Sequence, residues 1–218
     1  MNEIAQFLRR GDPFIFGILG TSIWVLGVII ERFIFLFFKY NINAAAFMGQ
    51  IQKLVVAGNI DRAIKLCNAA PDAALPRMVK AGLTRANKGQ VAIGNAIEEA
   101  SLEIVPHITK RTNSLLTLAN IATLLGLLGT IHGLIQSFAA LENAAPEDRQ
   151  KLLAGGIAIA MNATAFGLVV AITAMGAHLV LSGITKKIVE ELDQYSVKLE
   201  NMLVAFGKRQ LTADEGER

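Results

Sequence analysis

Thr112-Asn-Ser-Leu-Leu-Thr-Leu-Ala-Asn-Ile-Ala-Thr-Leu-Leu-Gly-Leu-Leu-Gly-Thr-Ile-His-Gly-Leu-Ile-Gln-Ser-Phe-Ala-Ala-Leu141 contains no Asp, Glu, Lys or Arg. At about 1.5 Å per residue this helix would exceed a hydrocarbon core of roughly 30 Å. A second stretch, Leu152 to Thr185, is equally free of charge. Only the polar linker Glu142 to Lys151 separates the two. They therefore read as an antiparallel hairpin of membrane-spanning helices, each projecting beyond the lipid, with their connection at one membrane face.

Upstream, an apolar run from Phe14 to Ile30 is broken by Glu31 and Arg32 and resumes through Phe38. Arg9 and Arg10 precede it, but the run is too long for a signal peptide core and no small-residue cleavage site follows, so it reads as a retained first span. The 218 residues are 53% hydrophobic, with a mean hydropathy of +0.45, which is too apolar for an ordinary soluble domain. Nothing alternates like a sheet. The predicted fold is all-α, a polytopic membrane protein with three transmembrane helices and extended cytoplasmic helices.

The basic residues report topology. Lys39, Lys53, Arg62, Lys65, Arg77, Lys80, Arg85, Lys88, Lys110 and Arg111 lie between the first and second spans, against only Arg9, Arg10, Arg149 and Lys151 on the other side. The positive-inside rule puts the long segment and the C-terminus, with Lys186, Lys187, Lys198, Lys208 and Arg209, in the cytoplasm and the N-terminus outside. The expected organisation is a periplasmic N-terminus and first span over residues 1–40 and a cytoplasmic helical region over 41–111. The hairpin then occupies 112–185, followed by a C-terminal cytoplasmic helix and tail over 186–218. A net charge of +3 spread through loops does not describe a nucleic-acid surface.

Within the cytoplasmic region, Ala44 to Val56, Ile60 to Ala69 and Val91 to Lys110 read as helices, with breaks at Gly58-Asn59, Pro71, Pro76 and Gly89. After the third span, Ile188, Leu192, Tyr195, Leu199, Met202 and Phe206 recur at three- and four-residue spacings. They form an apolar stripe that needs a partner in this subunit or the next. That stripe and the glycine-rich face of the second span are expected to hold a symmetric ring. The single cysteine, Cys67, excludes an internal disulfide and reads as a thiol in a cytoplasmic helix. No P-loop, GxGxxG, GxSxG or HExxH pattern occurs, no metal or other cofactor is expected, and the chain reads as no enzyme.

On a helical wheel of the second span, Asn120, Thr123, Thr130 and Ser137 share a sector of about 100°, flanked by Gly126, Gly129 and Gly133. The third span carries a matching stripe of Ala160, Thr164, Gly167, Ala171, Ala174, His178 and Ser182. Small residues let backbones approach in lipid, so helix packing alone accounts for part of this pattern. Depth adds a second reading. Thr130 lies about eight residues before the end of its span and Thr164 about seven after the start of its own, which places both hydroxyls about 10 to 12 Å below the outer face. Two hydroxyls at one level suit a polar channel lining, with Asn120, Thr123 and Ser137 along it. His178, near the cytoplasmic end, is a candidate proton exit. His132 projects away from Thr130, His107 follows Pro106 without metal-ligand spacing, and Asn162 and Thr173 lie opposite Thr164. Hydroxyls orient water but do not carry a proton at ordinary pH, so a proton path here needs a carboxylate from a second polypeptide.

The segments Leu124-Leu-Gly-Leu-Leu-Gly-Thr-Ile-His-Gly-Leu-Ile-Gln-Ser-Phe138 and Gly156-Ile-Ala-Ile-Ala-Met-Asn-Ala-Thr-Ala-Phe-Gly-Leu168 resemble the second- and third-helix signatures of the MotA/TolQ/ExbB proton-channel family. Ser22 to Arg32 is similar to its first helix, and the ExbB/TolQ branch is the nearest in length and span number. The resemblance implies a homopentamer in the bacterial inner membrane around a dimer of a single-span ExbD/TolR-like protein. That partner would bring the proton-accepting aspartate, and Thr130 and Thr164 match the family's channel threonines. Proton motive force would then be converted into mechanical work on the envelope, of TonB or Tol type. Three positions depart from the pattern: Ile159 stands where ExbB and TolQ carry glutamate, Thr173 where a proline is common, and His178-Leu179 where Tyr-Asn is usual. A gliding or other specialised motor of the same family, coupling to protons or sodium, and a passive membrane scaffold are the alternatives.

Overall fold

The computed structural model describes residues 13–40, 42–142 and 144–216, so Arg9 and Arg10 lie outside the described residues. Every regular element among those described is helical. Helix α1 spans Pro13–Ile34 and continues as a π-helical turn over Phe35–Tyr40. There follow α2 (Ala44–Val56), α3 (Ile60–Asn68), α4 (Ala74–Thr84), a 3₁₀ turn (Ala86–Lys88), α5 (Gln90–Thr109), α6 (Ser114–Glu142) and α7 (Arg149–Gly216). Three helical stretches are long and apolar enough to cross a membrane: Phe14–Phe37, and windows within Gln90–Glu142 and Arg149–Lys208.

The chain divides into two compact units. The first comprises α1 up to Arg32 together with Arg111–Val180. Here α1 lies antiparallel to α6: Gly17 faces Leu125, and the Phe14 ring tilts at 60° against the His132 ring, 5.1 Å between centroids. Ile18 and Val25 on α1, Leu115, Ala119 and Ala122 on α6, and Ala163, Ala171 and Ala174 on α7 are buried. The core is thus built largely of small residues, while Leu124, Leu127, Ile131 and Ile135 on α6 and Val169, Ile172 and Leu179 on α7 face outward. In lipid this inversion costs nothing, because a leucine gains little by leaving acyl chains and a close backbone approach gains dispersion contacts.

The second unit takes in Phe33–Lys110 and α7 from Leu181 onward. Asn43 caps α2, its side chain accepting from the Ala46 N–H at 3.1 Å. Gly58 and Gly89 take φ of 75° and 88°, left-handed values that let the chain turn after α2 and enter α5. Pro76 is not a break: it lies in the first turn of α4, where its missing N–H has no intrahelical partner to lose. Pro106 likewise sits inside α5, in its last turn. Helices α2 to α5 pack in sequence order, each on the next.

Part of the stripe on α7 is covered within its own unit. Ile188, Leu192, Leu199 and Leu203 are buried, and Gly82 of α4 is wedged between Ile97 of α5 and Leu199. The glycine-rich face of α6 is also occupied inside the chain, by α7. Both faces thus find partners inside the chain, while Tyr195, Met202 and Phe206 of the stripe stay half-buried. Cys67 on α3 is 2% exposed, and burial pushes its thiol up to about 11, against a partial lowering by the Lys80 charge.

Candidate functional site: the hydroxyl seam of the hairpin

The α6–α7 seam starts from glycine. A Cβ on Gly126 would meet the Thr164 Cα at 3.2 Å and the Gly167 Cα at 3.3 Å; one on Gly133 would meet the Ala160 Cβ at 2.8 Å; one on Gly129 would meet the Ala163 Cβ at 3.0 Å. As positions rise on α6 they fall on α7, the register of an antiparallel pair. The neighbours of Gly126 are mostly backbone atoms, so two main chains touch where Gly126 and Gly167 meet. Gly156, which sequence reading passed over, belongs to the same seam and receives Ser137.

Close approach brings side-chain and main-chain oxygens together. Thr130 Oγ1 is hydrogen-bonded to Thr164 Oγ1, and it lies 3.2 Å from the Gly126 carbonyl and 3.3 Å from the Ala160 carbonyl. Thr164 Oγ1 lies 2.9 Å from the Gly126 carbonyl. Two hydroxyls hold two protons. The shorter carbonyl contact assigns Thr164 as donor to Gly126 and Thr130 as donor to Thr164, which leaves the lone pairs of Thr130 Oγ1 able to accept from water or an acid. Both threonines are half-buried, at the edge of the seam rather than its centre.

The remaining polar residues of the stripe separate. Asn120 and Thr123 are exposed, with Thr123 donating to the Ala119 carbonyl of its own helix at 3.1 Å. Ser137 is buried, donates to the Gly133 carbonyl at 2.6 Å and fills the space above Gly156, so it packs the hairpin closed. Thr173, on the exposed side of α7, donates to the Val169 carbonyl at 2.8 Å. Ile159 is half-buried and Asn162 exposed. His132 lies within 2.9 Å of the Gln136 amide on its own helix.

His178 makes a contact that periodicity did not foretell. Its Nδ1 lies 2.9 Å from the carbonyl oxygen of Thr112, in the turn preceding α6, so Nδ1–H donates and Nε2 is left as the free ring nitrogen. The adjacent Arg111 pairs with Glu31 of α1. One short turn, residues 110–113, thus ties all three spans together at the same end. Among the described residues no group of three or more His, Cys, Asp or Glu side chains is disposed to hold a metal ion.

Comparison with known proteins agrees with this architecture. The family model of the MotA/TolQ/ExbB proton channel family matches residues 70–194. A Synechocystis sp. protein named as a biopolymer transport protein, ExbB-like 3, is 30% identical over 160 residues, covering 72% of this chain and 75% of the relative. A biopolymer transport protein ExbB homolog of Methanothermobacter thermautotrophicus is 23% identical over 192 residues, covering 88% of this chain and 66% of that one. Among solved structures, that of C. jejuni MotAB shares the fold at a TM-score of 0.57 and 16% identity, covering 93% of this chain and 82% of its counterpart. The matched stretch includes the whole hydroxyl seam, both glycine faces and the turn that joins them to α1, and the chain belongs to the MotA/TolQ/ExbB proton channel family.

Proposed function

We propose that this chain is the channel-forming subunit of a proton-driven machine in the bacterial inner membrane, with its N-terminus in the periplasm and its helical bulk and C-terminus in the cytoplasm. Five copies enclose two copies of a single-span ExbD/TolR-like partner whose aspartate takes up and releases the proton. The observation that carries this reading is the Thr130–Thr164 pair: two hydroxyls and two main-chain carbonyls gathered at one level of spans that contain no charged residue. A carboxylate presented there would find hydrogen-bond partners in either protonation state, while the chain itself supplies no competing charge. Protons then leave past His178, whose free Nε2 can accept.

The outward-facing apolar sides of α6 and α7 are the surfaces left for neighbouring subunits and lipid. One charge crossing 100 mV releases about 2.3 kcal/mol, so a few protons per step suffice to shift one packed helix interface against another. The names of the ExbB-type relatives support a role in energy transduction across the envelope. The passive scaffold has one observation in its favour, since Thr130 and Thr164 already satisfy each other. Reconstitution decides between them. Vesicles holding this chain with its single-span partner should take up protons when a potential is applied, and those holding either protein alone should not. Partner-loaded vesicles as tight as empty ones would leave the scaffold standing.

A further inference from the structure

Between α1 and α6 lies a cleft of about 450 Å³ that the proton path does not use. Its rim carries one charge of each sign, Glu31 and Arg111. These two are paired, but the Arg111 side chain is 57% exposed and that of Glu31 36%. A guanidinium has five N–H donors and a carboxylate about four acceptor sites, so each can take a further partner without abandoning the first.

Two hydroxyls stand beside the guanidinium. Ser114 and Thr117, three residues apart on α6, line the cleft, and among the described residues neither has a hydrogen-bond partner. Thr109, Thr123, Ser137 and Thr173 donate to the carbonyl four residues earlier, whereas Ser114 and Thr117 sit at the start of α6, where that position falls in the turn. Trp24, Val28 and Leu118 form the other part of the wall. Trp24 is seven residues from Glu31 on α1, about 10 Å at the helical rise, so the cleft runs from a charged rim to an apolar wall.

We propose that this cleft, which sets a carboxylate beside a guanidinium and two unspent hydroxyls above an apolar wall, binds the headgroup of a phospholipid bearing a primary ammonium, phosphatidylethanolamine. The phosphate sits on Arg111, Ser114 and Thr117, the ammonium on Glu31, and the glycerol and first acyl carbons lie along Trp24, Val28 and Leu118. The pairing of opposite charges selects this class. An anionic lipid such as phosphatidylglycerol satisfies Arg111 but sets its charge beside Glu31 with nothing to neutralise it. Phosphatidylcholine carries the positive charge without an N–H to donate.

Native mass spectrometry of the full-length chain, delipidated in detergent and offered an equimolar mixture of phosphatidylethanolamine, phosphatidylcholine and phosphatidylglycerol with identical acyl chains, tests this. Phosphatidylethanolamine adducts should exceed each of the others roughly threefold or more, about 0.6 kcal/mol on the affinity scale. Glu31→Gln should lower the ratio of ethanolamine to glycerol lipid by a similar factor. Both the variant and the wild-type chain should be melted in parallel. Because loss of the ion pair can disturb the fold, the double variant Ser114→Ala/Thr117→Val provides a second arm that keeps both charges; it should bind all three lipids less well. Equal occupancy by the three lipids, or a preference that survives both variants, would overturn the proposal. A weakened oligomer with unchanged lipid adducts would assign the cleft to a second copy of this chain and overturn it as well.

Discussion

Gly167→Ala is the substitution whose consequence the seam specifies most closely. The added Cβ would stand 2.6 Å from the Ala122 carbonyl oxygen and 3.0 Å from the Gly126 Cα, both main-chain atoms that cannot rotate aside. Restoring ordinary contact near 3.4 Å requires the helices to part by about 0.8 Å. A parting of that size along the Thr164–Gly126 hydrogen bond, 2.9 Å in the native seam, stretches it to about 3.7 Å, beyond useful geometry. Overpacking costs about 1–3 kcal/mol, and the lost interhelical hydrogen bond adds about 0.6 kcal/mol. Gly176→Ala on the same helix meets nothing within 4 Å and serves as the control; it should be neutral or stabilising by up to about 1 kcal/mol through helix propensity. Unfolding of the full-length chain in mixed micelles, followed by circular dichroism, measures the difference. Variants that unfold within about 0.5 kcal/mol of each other would refute the account of a main-chain contact at Gly167.

Thr164→Val keeps volume and removes the hydroxyl, so ring assembly should persist at a cost of about 1 kcal/mol while partner-dependent proton uptake falls; Thr173→Val, which severs only a bond within its own helix, should be near wild type. Equal uptake by the two variants would remove the channel role from Thr164. Ile159→Ala should leave partner-dependent uptake largely intact, because no carboxylate stands at that position to be lost. Abolished uptake with normal assembly would count against the residue match to the family. Leu199→Ala empties a fully buried site against Gly82 and should destabilise the second unit by about 2–5 kcal/mol in thermal melts, without altering the spectrum of the spans. Cys67 titrates at about 11 in the folded chain against 9.0 for the free thiol, so the fold favours the neutral form. Its contribution is complete below about pH 9 and is lost as pH rises toward 11. Alkylation near pH 8 should accordingly be slow until denaturant is added, and fast reaction of the native chain would contradict the burial.

Spans and hairpin were readable from the chain because the bilayer imposes local rules: about 20 uncharged residues per crossing, with every backbone group bonded within its own helix. The level of Thr130 and Thr164 was readable for the same reason, since the rise per residue is constant and both helices are measured from one membrane face. Glycine and alanine in a span likewise announce a close contact, as lipid offers them no other gain. What sequence could not supply was the choice among contacts equally allowed by a helical face. Ser137 and Thr130 lie in one sector of α6, yet the packing of α7 buries the first against Gly156 and leaves the second at the edge of the seam. The stripe on α7 needed a partner, and only the folded chain assigned it to α4 and α5 through Gly82 and Ile97. The turn over 110–113, where Arg111 meets Glu31 and the Thr112 carbonyl meets His178, joins residues 80 and 66 positions apart. Such pairings depend on where three helices come to rest, a long-range property that no periodicity within one helix records.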